Sequence, residues 1–230
     1  TRRDFVANAS HELRTPLTVL SGYIDMMEQE TGEELAAWRM PVTEMRNQAL
    51  RMQRIITDLL KLARLESATL DVGLEPIDVA EVIRELEDEA RELSQGKHEL
   101  LFEIEPDIQL TGRRSELYSC LSNLVFNALQ YTPSGGRIEV RWWRDERGAH
   151  FSVRDTGIGV STRDLPRLTE RFYRVDVARS RETGGTGLGL AIVKHALERH
   201  QGELEIESEE GKGSCFTCHF PAERLQEQAA

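Results

Sequence analysis

His11 stands beside an acid, Glu12, with Thr15 four residues on and Pro16 directly after it, in the stretch SHELRTPLT over residues 10–18. A neutral imidazole is a workable nucleophile near pH 7, and an adjacent carboxylate can orient it or take its proton. The apolar residues Val6, Leu13, Leu17, Leu20, Ile24 and Met27 keep a heptad spacing around it. With Leu17 and Ile24 at a, and Leu13, Leu20 and Met27 at d, His11 falls at b and Thr15 at f. Both then lie on the outer side of a helix, one turn and about 6 Å apart. Pro16 removes an N–H and would bend the helix below the histidine, loosening that face for a partner. A second reading makes Thr15 an N-cap and Pro16 the first helical residue, which would leave His11 in a loop.

Three further groups lie far along the chain. Asn123 and Asn127 are i, i+4 on a helical pattern of Leu117, Leu121, Leu124, Val125 and Ala128, offset by one from the apolar stripe. Asparagine is a mediocre helix former, so the pair wants an explanation. Its carboxamide oxygen suits Mg²⁺, which takes much of its coordination from substrate phosphates. A hydrogen-bonded pair closing a helix edge is the plainer alternative. Asp155-Thr156-Gly157-Ile158-Gly159 follows a strand directly, so a flat ligand could approach the backbone while the carboxylate accepts from an amino group. Gly184–Gly189 precedes a helix, where backbone N–H groups and the helix N-terminus could hold phosphate. The run is neither G-x-x-x-x-G-K-[ST] nor G-x-G-x-x-G.

The elements that must position these groups fall into two parts. A polar stretch, 28–37, interrupts the first heptad pattern, which resumes at Val42, Met45, Ala49, Met52, Ile56, Leu59 and Ala63. Pro41 sits near the first turn of this second helix, where its missing N–H costs little. Two such helices make a hairpin that cannot cover its own seam. Either a second copy completes a four-helix bundle, or the rest of the chain covers the seam. Asp78 with Glu81 then reads as a capping box for a helix carrying Val82, Ile83, Leu86 and Ala90, stopped near Gly96. Alternating strands are expected at 100–104, 138–142, 151–153, 204–206 and 216–220, with hairpins around 145–148 and 211–213. Strands in hairpins alongside helices suggest an α/β sandwich with a mixed sheet. The expected division is a hairpin domain over 1–68, a linker over 69–77, a second domain over 78–225 and a tail over 226–230.

Composition narrows the field. The formal net charge is −11 over 230 residues. Residues 1–68 carry nine Lys/Arg and ten Asp/Glu, so the acidity sits almost wholly beyond them. A basic nucleic-acid interface is not expected, and any polyanion must be held by a local arrangement. No apolar run approaches the roughly 20 residues of a membrane span, and no signal peptide opens the chain. The helical pattern begins at once, as in a fragment of something longer. Cys215-Phe216-Thr217-Cys218-His219 matches the C-x-x-C-H haem pattern, yet Phe216, Cys218 and Phe220 alternate as on a strand. Residues i and i+3 of a strand point to opposite faces, so the sulfurs could not grip one cofactor.

The order of these groups resembles the sensor histidine kinases of two-component systems, over nearly the whole chain. SHELRTPLT looks like their phospho-acceptor box and NLVFNALQYT (123–132) their N box. DTGIG (155–159) looks like the G1 box, ERFYRVD (170–176) the F box and GTGLGLAIVK (185–194) the G2 box. The resemblance implies a homodimeric helical hairpin, a four-helix bundle for phosphotransfer, followed by a GHKL (Bergerat-type) α/β sandwich that binds ATP and Mg²⁺. By the same resemblance His11 would accept the γ-phosphoryl group with Glu12 as base. Thr15 would position water for dephosphorylating a response regulator. Asn127 would hold Mg²⁺ with Asn123 nearby, Tyr131 would pack on adenine, and Asp155 would accept from its amino group. Gly157 and Gly159, Arg174, and the loop Gly185, Thr186, Gly187, Leu188 and Gly189 would complete the nucleotide site, with 176–186 a mobile lid. Many relatives carry a basic residue where this chain has Gln130, so one phosphate contact would fall to Arg174 or Lys194. The family also implies the cytoplasmic portion of a bacterial inner-membrane protein, its anchor outside this chain. Two other readings are an ATPase clamp of the same fold and a dimerising scaffold with a degenerate site. The outward histidine argues against the first, and intact Asn127, Asp155 and glycine loops against the second.

Overall fold

The computed structural model describes Leu13 and residues 15–25, 39–67, 74–175 and 185–226. His11, Glu12 and the segment 176–184 lie outside them. Leu13 is helical, as are residues 15–25 (α1), so helical backbone occurs ahead of Pro16. That disfavours a helix starting at the proline. Thr15 is exposed while Pro16 is buried.

The second helix, α2 (Arg39–Ser67), has two apolar faces. The expected seam stays open: Val42 and Ile56 on α2, and Leu17 and Ile24 on α1, are each about half exposed. A different face is covered. Ile55, Leu62 and Leu65 are buried, and Leu62 and Leu65 belong to the core of the second domain. Their spacing of seven and three repeats the periodicity of the seam on the neighbouring side of the helix. The rest of the chain therefore covers α2 mainly beside the seam, and meets the seam itself at Leu59.

The second domain begins within the expected linker, whose last residues form β1 (Glu75–Asp78). β1 pairs antiparallel with β3 (Gln109–Gly112), a ribbon with too little alternation to be legible in sequence. Asp78 caps α3 (Val79–Ser94), its Oδ1 accepting from the N–H of Ala80 and Glu81. Gln95 is the C-cap of α3, and both Gln95 and Gly96 take left-handed φ angles, which stops the helix where expected. The remaining strands, β2 (Glu99–Ile104), β4 (Arg137–Asp145), β5 (Gly148–Asp155), β6 (Glu203–Glu209) and β7 (Gly213–Pro221), form one sheet in the order β2-β4-β5-β7-β6. The β2–β4 pair is parallel and the others antiparallel, the mixed sheet that hairpins plus helices imply.

One face of this sheet is apolar and packed by α3, α4 (Arg114–Tyr131) and α5 (Gly189–Arg199). Trp142 and Phe220 meet edge to face at 6.2 Å beneath them. Fully burying such side chains stabilises by about 1.5–3 kcal/mol each. Cys218 lies in this core, whereas Cys215 sits beside Thr217 on the other face, so the two thiols cannot grip one group. Among the described residues no helix is long and apolar enough to cross a membrane.

One buried arginine links α4 and α5 to the end of α2. Arg199 of α5 is buried, and its Nε donates to Glu116 Oε2 of α4 at 2.9 Å. Its Nη1 donates to the carbonyl of Leu65, near the end of α2. Removing one partner of a buried pair strands the other charge, at a cost of about 3–5 kcal/mol. Glu116→Ala is expected to destabilise the chain by about that amount in urea unfolding. A loss below about 1 kcal/mol would show that water solvates Arg199 freely.

Candidate functional site

The site forms where β5 ends and α4 and α5 lie side by side. A cavity of about 700 Å³ opens there. Asn123, Asn127, Tyr131, Asp155, Gly159, Arg174, Gly185, Thr186, Gly187 and Gly189 all line it, from four separate stretches of sequence.

Asp155, the last residue of β5, is 7 % exposed. Its Oδ1 accepts from the backbone N–H of Gly157 at 2.8 Å and of Ser214 at 3.3 Å. The other oxygen is left for a ligand's donor. Burial pushes its pKa up, against the lowering effect of those two hydrogen bonds. Gly157 is needed for close approach: a Cβ there would meet the Tyr131 carbonyl oxygen at 2.6 Å and Asp155 Oδ1 at 2.7 Å. It does not line the cavity; it holds the acid that does.

The two asparagines divide their work. Asn123 Nδ2 donates to the Ser119 carbonyl one turn back, at 2.7 Å, and its Oδ1 abuts Gly189 at the start of α5. That is the helix-edge role. Asn127 makes no protein hydrogen bond through its side chain among the described residues, and it faces the cavity. A neutral oxygen donor beside a glycine-rich loop fits Mg²⁺ held chiefly by a ligand's phosphates. Among the described residues no cluster of three His, Cys, Asp or Glu could hold a metal by itself.

The loop before α5 is fixed by its backbone. Gly187 has φ +71°, and a Cβ there would strike the Phe172 backbone at 2.8 Å. Phe172 in turn donates its N–H to the Gly187 carbonyl at 2.8 Å, joining the F-box segment to the loop. Leu188 is wholly buried and absent from the cavity lining, so its side chain serves the core rather than a ligand. Lys194 is exposed on α5 and does not line the cavity, so of the two cations expected to compensate for Gln130 only Arg174 is placed to do so. Gln130 itself lines the wall, with Nε2 buried and without a hydrogen-bond partner among the described residues.

Sequence reasoning missed two groups. Asp164 is buried and accepts from Ser161 Oγ and Tyr173 OH, each at 2.7 Å; these bonds hold its carboxyl below the usual range. The Tyr173 ring also lies under the Arg167 guanidinium at 4.1 Å, so Arg174 follows an anchored residue. Nothing in a lone Asp-Leu-Pro marks that role. The second group is Arg54 and Asp58 of α2, which reach the same cavity from the hairpin domain.

The His Kinase A (phospho-acceptor) domain family matches residues 1–68. The histidine kinase-, DNA gyrase B- and HSP90-like ATPase family matches residues 112–224. The phosphate regulon sensor protein PhoR of Pseudomonas aeruginosa is 52% identical over 227 residues, covering 98% of this chain and 51% of that protein. The chain thus spans about half the length of the curated relatives it matches. Among solved structures, the Acinetobacter baumannii histidine kinase AdeS aligns with TM-score 0.73 at 22% identity, over 92% of this chain and 98% of that one. The histidine kinase ThkA, in complex with the response regulator protein TrrA, aligns with TM-score 0.72 at 20% identity, over 95% and 61%. These two share the fold.

The buried acid yields a prediction. A carboxyl whose folded pKa is raised penalises folding once ionised. The penalty is absent below the ordinary carboxylate pKa and complete above the raised one. Asp155→Asn keeps an oxygen for the N–H groups of Gly157 and Ser214 without the charge. Its unfolding midpoint should exceed the parent's at pH 7, with the gain vanishing as pH falls through the carboxylate range. A variant less stable than the parent at pH 7 would contradict the buried, ionised acid.

Proposed function

From the premise that the chain belongs to the sensor histidine kinases, we propose that it transfers the γ-phosphoryl group of ATP to His11 and then to an aspartate of a response regulator. The observation that carries this is the single cavity in which Asp155, Asn127 and the glycine loop converge. Asp155 Oδ2 accepts from the adenine amino group, with Tyr131 against the ring. Gly185, Thr186 and Gly187 offer backbone and hydroxyl donors at the start of α5, where the helix dipole favours phosphate. Asn127 would hold Mg²⁺, which when bound would neutralise charge on the nucleotide's phosphates. His11 attacks phosphorus through a ring lone pair: an N–P bond forms, the bond to the β,γ-bridging oxygen breaks, and ADP leaves with the electron pair. Glu12 holds the proton on the other ring nitrogen.

The half-exposed seam of α1 and α2 supports assembly as a homodimer, since covering those side chains is the main gain open to them. The exposed face bearing Thr15 suits docking of the regulator, and ThkA is a relative in fold found with its regulator. Thr15 there orients the water that removes phosphate from the regulator, which makes the protein a phosphatase as well. The likeness to PhoR favours a role in phosphate-regulated signalling at the cytoplasmic side of a membrane, reached through segments beyond this chain.

Two outcomes follow. His11→Gln should abolish labelling by γ-labelled ATP while leaving ATP affinity within about twofold, because acceptor and nucleotide occupy separate domains. Undiminished label would remove His11 from the reaction. Thr15→Ala leaves a small, helix-compatible side chain on an exposed face, so stability should change by less than about 0.5 kcal/mol. It should label and transfer normally yet dephosphorylate the regulator at least ~10-fold more slowly. Parallel loss of both activities would assign Thr15 a capping or packing role.

A further inference from the structure

α2 does more than carry the dimer seam. Its residue Asp58 reaches across to the phosphate loop, where Thr186 Oγ1 donates to Asp58 Oδ2 at 2.8 Å. The same hydroxyl oxygen accepts from the Leu188 N–H at 3.2 Å. A threonine hydroxyl has one proton to give. While Asp58 takes it, a phosphate oxygen cannot. Asp58 and its neighbour Arg54 line the same cavity as Gly185 and Gly187, so the carboxylate stands at the phosphate end of the site.

The surroundings make this contact specific to the docked arrangement of the two parts. Ile55, Leu62 and Leu65 are buried on the face of α2 that carries Asp58. Glu66, two turns further on, pairs with Arg171 of the F box and lies 3.6 Å from His195 of α5. Asp58 is partly buried, and burial raises its pKa against the bond from Thr186 and the nearby Lys61 and Arg54 charges. A carboxylate in that setting is poorly screened by water, and a polyphosphate entering beside it meets strong like-charge repulsion.

We propose that Asp58 is a latch between the phosphotransfer helix and the phosphate loop, holding the nucleotide-free protein docked and competing directly with the phosphates of an entering nucleotide for Thr186. ATP binding then breaks the Asp58–Thr186 bond and pushes the carboxylate away, freeing the loop, and the domain that carries it, from this point on α2. Binding of ATP is thereby coupled to undocking by one exchange of hydrogen-bond partner. The proposal rests on ATP occupying the cavity.

The test compares affinities of the 230-residue chain and its variants for ATP with Mg²⁺, and for adenosine, by titration calorimetry. Asp58→Ala should bind ATP about tenfold more tightly than the parent, with adenosine affinity unchanged, since adenosine offers nothing to Thr186. Asp58→Asn keeps an acceptor without the charge, and should give a smaller gain for ATP and none for adenosine. A merely structural role would move ATP and adenosine together and would overturn the latch. So would unchanged or weaker ATP binding in both variants, the latter meaning that Asp58 assists the nucleotide. A parent that binds adenosine but gains nothing from the phosphates would also overturn it. If the parent binds neither compound, the nucleotide reading of the cavity fails first, and the latch with it.

Discussion

Helix α4 lies along the apolar face of the sheet with α5 packed beside it, and the site exists because of that contact. Leu121, Leu124 and Val125 of α4 and Ile192, Val193 and Ala196 of α5 share one core. That packing sets Asn127 over the cavity and brings the loop before α5 to the same wall. The approach is tight: a Cβ at Gly189 would meet Asn123 Oδ1 at 2.6 Å and push that side chain aside. β5 then delivers Asp155 between them, its inner oxygen saturated by backbone and its outer one presented to a ligand. A shift of α4 by a fraction of a helical turn would separate Asn127, Asp155 and the glycine loop, although none of them is adjacent to another in sequence.

Much of this was legible because motif residues at loops and helix starts announce their own backbone. Asp78 caps where its spacing to Glu81 says it should, and every strand of the main sheet follows an alternating run. Each of the four motifs of the second domain sends residues to the cavity wall. What failed had physical reasons. Leu188 sits among glycines of the loop, yet an isobutyl group in a helix cap is worth more in the core than against phosphate. Lys194 is near in sequence but exposed, one helical turn beyond Leu190, where α5 has left the wall. The ribbon of β1 and β3 is too short for a period to emerge.

The other miss is instructive about α2. A heptad read from Val42 to Ala63 identifies one apolar stripe, and in the single chain Val42 and Ile56 of that stripe are open while Leu59 touches the core. Ile55, Leu62 and Leu65 form a second stripe beside it, which periodicity alone merges with the first. Only the partner distinguishes them: one faces the catalytic domain, the other the place where a second copy would pack. A helix with both faces spoken for can take part in dimer formation and in domain docking at once. That is why Asp58, which looks like a surface acid in the sequence, lies at a domain boundary.

The central claim is that these two parts transfer phosphate from ATP to an imidazole. Incubation of the chain with γ-labelled ATP and Mg²⁺, followed by splitting the labelled protein between acid and alkali, tests it most directly. Label that is lost in acid and survives alkali is a phosphoramidate on histidine, the predicted result. Label that survives acid is an ester on serine, threonine or tyrosine, and would contradict the account, as would release of inorganic phosphate with no label on the protein at all.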